Sequence, residues 1–486
     1  MEHVIWKNTL HKTAGKIPEN IYGGFVEHLG RNVYGGVYDP ASPMADEEGF
    51  RRDVLKLIRE LDMPVTRYPG RSCMGLFHWE DGIGPQSERR AKLDPAWHQL
   101  EPNTFGLDEF IRWCRKAGTE PLITINIANR SLTDTASLYE YCNFPGGTYW
   151  SDRRRNNGAD SPYGIRKWCL GNELYGEWEF GTKTAEEYGK LAREHAKVLR
   201  QLDPECFLIL CGKPDDMQWN RTVLELCGEF ADSLSLHNVF SQGNKNLQEY
   251  LHTVDQFDLA VTEAENVCRE IMENTPRCRR LSISVDEWIL WDFNHRLNEK
   301  EKWSCGMHLL EQDYTLKEAL ITGSLLSLFH RHAETLALAC IAQSVNVLAP
   351  IRTEKDFCWK QSIFYPFALT SRFGRGHTLQ ITEFGNEKHS LYGSAVETQE
   401  GETVLFITNR SEEKVLLEYE SNTPCDPLQT LFLTEKDPDK TNSPSEDFFI
   451  PQENKTLRKE KNRIFVQLEA LSWNMVRLQN SSATRK

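Results

Sequence analysis

Glu173 and Glu287 each close an apolar run. The chain reads Trp168-Cys169-Leu170-Gly171-Asn172-Glu173 at one place and Ser284-Val285-Asp286-Glu287-Trp288 at the other. Other apolar runs also end in polar residues: Glu27 and His28, Arg67, His237 and Asn238, and Gln343 with Asn346. Two carboxylates facing each other across a cleft, ringed by amide, guanidinium and indole groups, are the equipment of glycoside hydrolysis. One must carry a proton for the leaving oxygen, and the other must be ionised to attack the anomeric carbon. A neighbouring anion and a low-dielectric pocket raise the donor's pKa, while Arg67 would keep the attacking group charged. The chain holds 71 acidic residues, and any one of them is ordinarily a solvated surface group. Neither Asn-Glu nor Asp-Glu-Trp is specific alone. What distinguishes this pair is the repeated pattern around it.

The elements that must position these groups follow from the spacing of the runs. Apolar, β-rich runs fall at 21–27, 65–68, 122–127, 167–173, 207–211, 233–237, 281–287 and 336–345. Several are continuous rather than alternating, as strands buried on both faces should be. Helix-period segments lie between them. Residues 49–62 put Val54, Leu55, Ile58 and Leu61 on one face, and 184–203 opens with Thr184 and Glu187 at capping-box spacing. A second such box, Thr315 with Glu318, opens an apolar helix to about residue 329. Eight strands alternating with helices predict a (β/α)₈ barrel over 16–375, with a doubly wound sheet as the alternative. In a barrel, the ends of these runs converge on one mouth.

Beyond about residue 375 the pattern changes to short β-rich segments at 378–383, 403–408, 415–419, 430–434, 464–468 and 473–478. This predicts an all-β sandwich or jelly roll over 376–486. The Pro-, Asp- and Lys-rich insert 435–462 reads as a long mobile loop. Residues 1–15 read as a strand with no partner in the barrel, available to the sandwich.

Composition excludes whole classes. The 486 residues carry 57 Lys plus Arg against 71 Asp plus Glu, a net charge of −14, which argues against nucleic-acid or anionic-membrane partners. No run reaches the ~18 apolar residues of a membrane span, and the N-terminus has no secretory h-region. Thirteen scattered Cys with no C-x-x-C pair predict reduced thiols and a cytoplasmic protein. The 14 His show no HExxH or paired spacing, so no metal and no cofactor are expected. Cys169 and Cys340 read as packed thiols, and Trp79, Trp97, Trp150, Trp178, Trp288 and Trp291 as core or sugar-stacking rings.

The ordered series IYGGFVEHLGRNVYGGVYDP, VTRYPG, LDPAWHQLEPNTFGLDEF, KWCLGNE, SVDEW and AQSVNVLAPI resembles the glycoside hydrolase family 51 α-L-arabinofuranosidases over nearly the whole chain. The resemblance implies a retaining exo-acting enzyme that releases arabinofuranose from arabinose-decorated oligosaccharides. Glu173 would be its acid/base and Glu287 its nucleophile. It further implies that Asn172 bonds the sugar 2-hydroxyl and that Glu27 and Gln343 bind other hydroxyls. Arg67 would orient Glu287, Trp97 would shape the leaving-group subsite, and His237 would support Glu173. A homo-oligomer, often a hexamer, is also implied.

Two positions depart from the family pattern. After Gly70 the family usually has Gly and then a sugar-contacting Asn or Cys, whereas this chain reads Arg71-Ser72-Cys73, which puts Ser72 at the sugar. Two residues beyond His237 the family commonly has a Tyr that donates to the nucleophile, and this chain has Val239. A β-xylosidase or endo-glucanase of the same clan therefore stays open as an alternative. A sugar-binding protein on a retired barrel is the non-enzymatic one, and retention of both glutamates opposes it.

Overall fold

The computed structural model describes residues 1–70, 74–293 and 303–480. Eight parallel strands form the first sheet: Gly24–Phe25, Val65–Tyr68, Glu120–Ile125, Lys167–Leu170, Phe207–Cys211, Ser233–Phe240, Ser282–Leu290 and Leu336–Ile341. Each pairs with the next in chain order. The first and last meet at Gly23, whose amide donates to the Ala339 carbonyl at 2.8 Å and whose carbonyl accepts from Ile341 at 3.0 Å. A Cβ on Gly23 would lie 2.7–2.8 Å from Cys340 Sγ, Ala339 O and Val65. Only glycine lets the sheet close there. The result is a (β/α)₈ barrel.

The strands are buried on both faces because two apolar layers flank them. Val65, Leu122, Cys169, Ile209, Leu338 and Cys340 fill the barrel interior, and the outward side chains pack under the helices. The helix Ala185–Leu202 starts at the expected box, with Thr184 N donating to Glu187 Oε2 at 2.8 Å. The helix Leu316–Arg331 is buried on nearly every side, since it lies between the barrel and the second sheet. A Cβ on Gly323 would meet the Trp473 ring at 2.1 Å, so this glycine is what lets the sandwich dock.

The second sheet has ten strands and a mostly antiparallel ladder. Its core holds Val4, Trp6, Leu405, Ile407, Leu417, Tyr419, Val466 and Val476. The N-terminal strand Glu2–Lys16 runs through its middle, antiparallel to Gly376–Phe384 and parallel to Val415–Glu420. Among the described residues no helix is long and apolar enough to cross a membrane.

Three details differ from the sequence-based expectation. The first barrel strand is only Gly24–Phe25, because Glu19–Tyr22 winds a 3₁₀ turn after Pro18. A sandwich strand at Leu391–Thr398 is added; its Gly393 and Ser394 break the apolar pattern. The insert 435–462 is not a featureless loop. Asn442 Oδ1 accepts from the amides of Phe448 and Phe449, Phe449 is fully buried, and short strands form at Gln452–Glu453 and Arg458–Glu460.

Candidate active site

The strand ends converge as a barrel requires. Arg67, at the end of the second strand, is fully buried and holds three groups at once. Its Nη1 donates to Glu287 Oε2 at 2.7 Å, its Nη2 to Asn172 Oδ1 at 2.6 Å, and its Nε lies 3.1 Å from Asp286 Oδ2. The guanidinium stacks over Phe25, 4.7 Å from the ring centre.

A β-bulge explains how two consecutive carboxylates reach one arginine. Alternation along a strand would send Asp286 and Glu287 to opposite faces. The register between the sixth and seventh barrel strands shifts between Ser284 and Glu287, and both side chains turn to the centre. Glu287 then sits directly beside His237 across the ladder. Asp286 accepts from Ser235, receives Cys169 Sγ at 3.4 Å, and lies 3.5 Å from His237 Nε2.

Glu173 comes from the loop after the fourth strand and adopts φ 43°, a left-handed conformation that costs a non-glycine residue on the order of 1–3 kcal/mol. It is held there by Trp178 Nε1, which donates to Oε2 at 2.6 Å, and by His237 Nδ1, 2.9 Å from Oε1. The same Nδ1 lies 3.5 Å from Glu287 Oε2. One atom from each of Glu173, His237 and Glu287 falls within 4.8 Å of the others.

These contacts set the proton inventory. Burial opposes a charged His237, but Glu287, Asp286 and Glu173 overcome it and lift its pKa to about 10, so the imidazole is a cation at neutral pH. Burial raises Asp286, but His237 and Arg67 hold it far below the usual carboxylate range. Burial also raises Glu173, yet His237 and Trp178 draw it below its ordinary value. Glu287 is pushed up by burial and by the Glu173 and Asp286 charges, against the pull of His237 and Arg67. Glu173, His237 and Glu287 are the one trio among the described residues spaced to share an ion, and Arg67 with protonated His237 already supplies positive charge there.

A cavity of about 360 Å³ opens above the pair, lined by Glu27, Trp97, Asn172, Glu173, Glu287 and Gln343 on its polar and aromatic side. Gln343 Nε2 donates to Glu27, leaving its Oε1 without a protein partner. The opposite wall is apolar: Leu29, Ile289, Trp291, Leu310 and Leu348. Glu27, Arg67, Trp97, Asn172, Glu173, His237, Glu287 and Gln343 are thus in one place. Ser72, with its neighbours Arg71 and Cys73, lies outside the described residues. Of the tryptophans, Trp97, Trp178 and Trp291 line the cavity. Trp79 packs on Trp150, and Trp288 is core between Phe329 and Phe367.

Sequence reasoning missed Glu179. It is buried, its Oε1 accepts from Asn172 Nδ2 at 2.9 Å, and its Oε2 has no protein partner. Burial, with the Glu173 charge adding, lifts its pKa to about 9, so it is a neutral acid. Arg67 and Glu179 therefore hold Asn172 from both ends. Asp286 and Tyr175 were missed too, the latter with its hydroxyl 3.5 Å from Glu173 Oε1.

The chain resembles known proteins over nearly its whole length. A family model described as the α-L-arabinofuranosidase 1 domain matches residues 57–258, and one described as the α-L-arabinofuranosidase C-terminal domain matches 286–472. An intracellular exo-α-(1→5)-L-arabinofuranosidase 1 from Bacillus subtilis (strain 168) is 37% identical, with 96% of this chain and 97% of that protein covered. A family 51 α-L-arabinofuranosidase structure from Bifidobacterium longum superposes with a TM-score of 0.93 at 31% identity, covering 99% of this chain and 100% of that one.

The chain belongs to the family 51 α-L-arabinofuranosidases.

Within the family, the Thermotoga maritima enzyme in its arabinose complex matches with a TM-score of 0.88 at 30% identity, over 98% of this chain and 99% of that one. An exo-α-(1→6)-L-arabinofuranosidase from Bifidobacterium longum is 36% identical over 82% of this chain and 81% of that protein. The Val239 departure is concrete in this family setting. Among the described residues, Glu287 receives only Arg67 and His237, and no hydroxyl takes the place of the family's Tyr.

Proposed function

We propose that this protein is a retaining, exo-acting α-L-arabinofuranosidase that removes terminal arabinofuranose from arabinose-decorated oligosaccharides inside the cell. The observation that carries this is the spacing of the carboxylates. One oxygen of Glu173 and one of Glu287 lie within 4.8 Å, both beside His237 Nδ1, so the two carboxylates are close enough to act on one anomeric centre as a double displacement requires.

In the first step Glu287 attacks the anomeric carbon while Glu173 gives its proton to the leaving oxygen. The glycosidic bond breaks and an arabinosyl ester forms on Glu287. In the second step Glu173 takes a proton from water, the water oxygen attacks the anomeric carbon, and Glu287 leaves as a carboxylate. Arg67 donates to Glu287 and favours its charged form against the burial that raises it. His237 Nδ1 lies 2.9 Å from Glu173 Oε1, within reach to exchange a proton with it. Asn172, fixed by Arg67 and Glu179, is set to bond the 2-hydroxyl, an interaction that strengthens in the transition state. Glu27, Gln343 and Trp97 bind the rest of the sugar and the start of the leaving group. The catalytic unit is 16–375, with 376–486 and 1–15 forming the second unit, and the protein acts as a homo-oligomer, up to the family's hexamer.

NMR of the first-formed sugar decides the stereochemistry. The α-anomer of arabinose is expected, and an inverted product would end the double-displacement account. On an aryl-glycoside panel the α-L-arabinofuranoside should lead; a preferred pyranoside would favour the β-xylosidase alternative.

A further inference from the structure

The helix Thr253–Asn274 has two different faces at its start. Thr253, Gln256, Phe257 and Ala260, at i, i+3, i+4 and i+7, line a lobe of about 630 Å³ next to the sugar cavity. That lobe contains Glu173 and His237 but not Glu287, Asn172, Glu27 or Gln343, so it lies on the side where Glu173 meets the leaving group. Phe257 packs edge-on to Phe240, with 5.6 Å between ring centres, which seats the helix on the strand that carries His237. Asp255 and Asp258 stand on the other face and line the seam between barrel and sandwich.

The sandwich grips that second face. Arg410 follows the strand Glu402–Asn409 and is 2% exposed. Its Nη1 donates to both oxygens of Asp255 at 2.9 and 3.0 Å, and its Nη2 to the His389 carbonyl at 2.9 Å. The Arg410 carbonyl accepts from Gln248 Nε2 at 2.9 Å, in the short helix Leu247–Leu251 that leads into the long one. Tyr392 lies against the guanidinium, 5.0 Å from its ring centre, and donates to Asp258 Oδ2 at 2.7 Å. Barrel and sandwich are not close-packed at this level. A cavity of about 500 Å³, lined by Asp255, Asp258, Arg331, Tyr392 and Arg410, stands between them. Directional contacts rather than close packing therefore set where the helix begins.

We propose that Arg410, assisted by Tyr392, is a positioning residue for the leaving group: from the sandwich it fixes the helix turn that walls the lobe beside Glu173. This rests on the arabinofuranosidase reading and gives the second domain a part in it. Arg410 touches neither the sugar nor the reacting atoms, so its influence depends on the length of the leaving group. A leaving group long enough to meet the Thr253–Ala260 wall should feel the loss of Arg410, and one that ends at the reacting bond should not.

The test compares kcat and KM of the full chain on methyl α-L-arabinofuranoside and on α-(1→5)-linked arabinotriose, whose leaving groups differ in reach. Arg410→Met, which keeps bulk without charge, should lower kcat/KM for the triose about tenfold, chiefly through KM, and change the methyl glycoside by less than about twofold. Arg410→Lys keeps the charge but not the paired bonds to Asp255, and should fall between wild type and Arg410→Met. Asp255→Asn and Tyr392→Phe loosen the same grip from its two ends without emptying the seam, and should shift the triose-to-methyl ratio in the same direction; they carry the test if Arg410→Met does not fold by circular dichroism. An equal loss on both substrates would make the cluster purely structural and overturn the proposal. So would a triose-to-methyl ratio within about twofold of wild type in the folded variants. Absence of wild-type turnover on both substrates would instead refute the arabinofuranosidase reading, so the two failures are distinguishable.

Discussion

Glu179→Gln isolates a single proton. Glu179 is 4% exposed, and its pKa rises from 4.5 to about 9. Between those values the native protein keeps a proton that the unfolded chain has released, so stability falls as pH rises through that window. It is unaffected below pH 4.5 and has lost its full share above about 9. Each pKa unit is worth 1.36 kcal/mol, so at pH 7 the burden has an upper bound of about 3 kcal/mol. Gln has the shape of the neutral acid, and its carbonyl accepts from Asn172 as Glu179 does. Urea unfolding at pH 5, 6, 7 and 8 should show the variant nearly equal to wild type at the acid end. By pH 7 it should be more stable by about 1–3 kcal/mol, with the gap widening with pH. Its kcat/KM should stay within about threefold of wild type, because Asn172 is still held. Glu179→Ala should lose about tenfold, the scale of one hydrogen bond. A stability gap independent of pH, or a Gln variant weaker than wild type at pH 8, would show that Glu179 is not a buried neutral acid.

Other outcomes follow from the same geometry. Glu173→Ala should damage unactivated substrates far more than activated aryl glycosides, with azide partly restoring turnover of the latter; equal loss without rescue would remove Glu173 from the acid/base role. Glu287→Gln should abolish turnover while the protein stays folded by circular dichroism, and near-normal activity would overturn the assignment. Arg67→Lys keeps the charge but cannot serve Glu287, Asn172 and Asp286 together. Losing two charge-assisted bonds of about 1.5–3 kcal/mol each predicts a kcat/KM fall of roughly 10²–10⁴, and a fall below tenfold would deny the fork its role. Gly323→Ala, whose Cβ meets Trp473 at 2.1 Å, should lower stability by about 1–3 kcal/mol in thermal unfolding; an unchanged midpoint would mean the sandwich docks elsewhere.

Most of the barrel is readable in the residues because buried parallel strands are continuous apolar runs and the polar group that ends each run marks the mouth. Val65–Tyr68 and Phe207–Cys211 match residue for residue. What hides is register and return. The bulge between Ser284 and Glu287 leaves no mark on the pattern, and strict strand alternation would place Asp286 on the face opposite Glu287, whereas both meet Arg67. Glu179 lies in a stretch of mixed polar and aromatic residues, and nothing local says that it folds back under Asn172. Cys169 reads as plain packing, yet its thiol donates to Asp286. Leu391–Thr398 is concealed by Gly393, where a Cβ would strike the Phe406 carbonyl at 2.2 Å.

The strand Glu2–Lys16 is the first of the sandwich to leave the ribosome, and both its partners are made near the end of the chain. Ile5 pairs with Phe384 and Glu2 with Val415. At roughly 5–20 residues per second, it waits about 20–75 s for its first ladder. The barrel, built from neighbours in sequence, has time to close in that interval, while the sandwich must assemble last by capturing a segment that preceded it. Once captured, that segment is an interior strand with a ladder on each side. Pulling Glu2–Lys16 out of the sheet therefore means breaking two ladders at once, one to Gly376–Phe384 and one to Val415–Glu420.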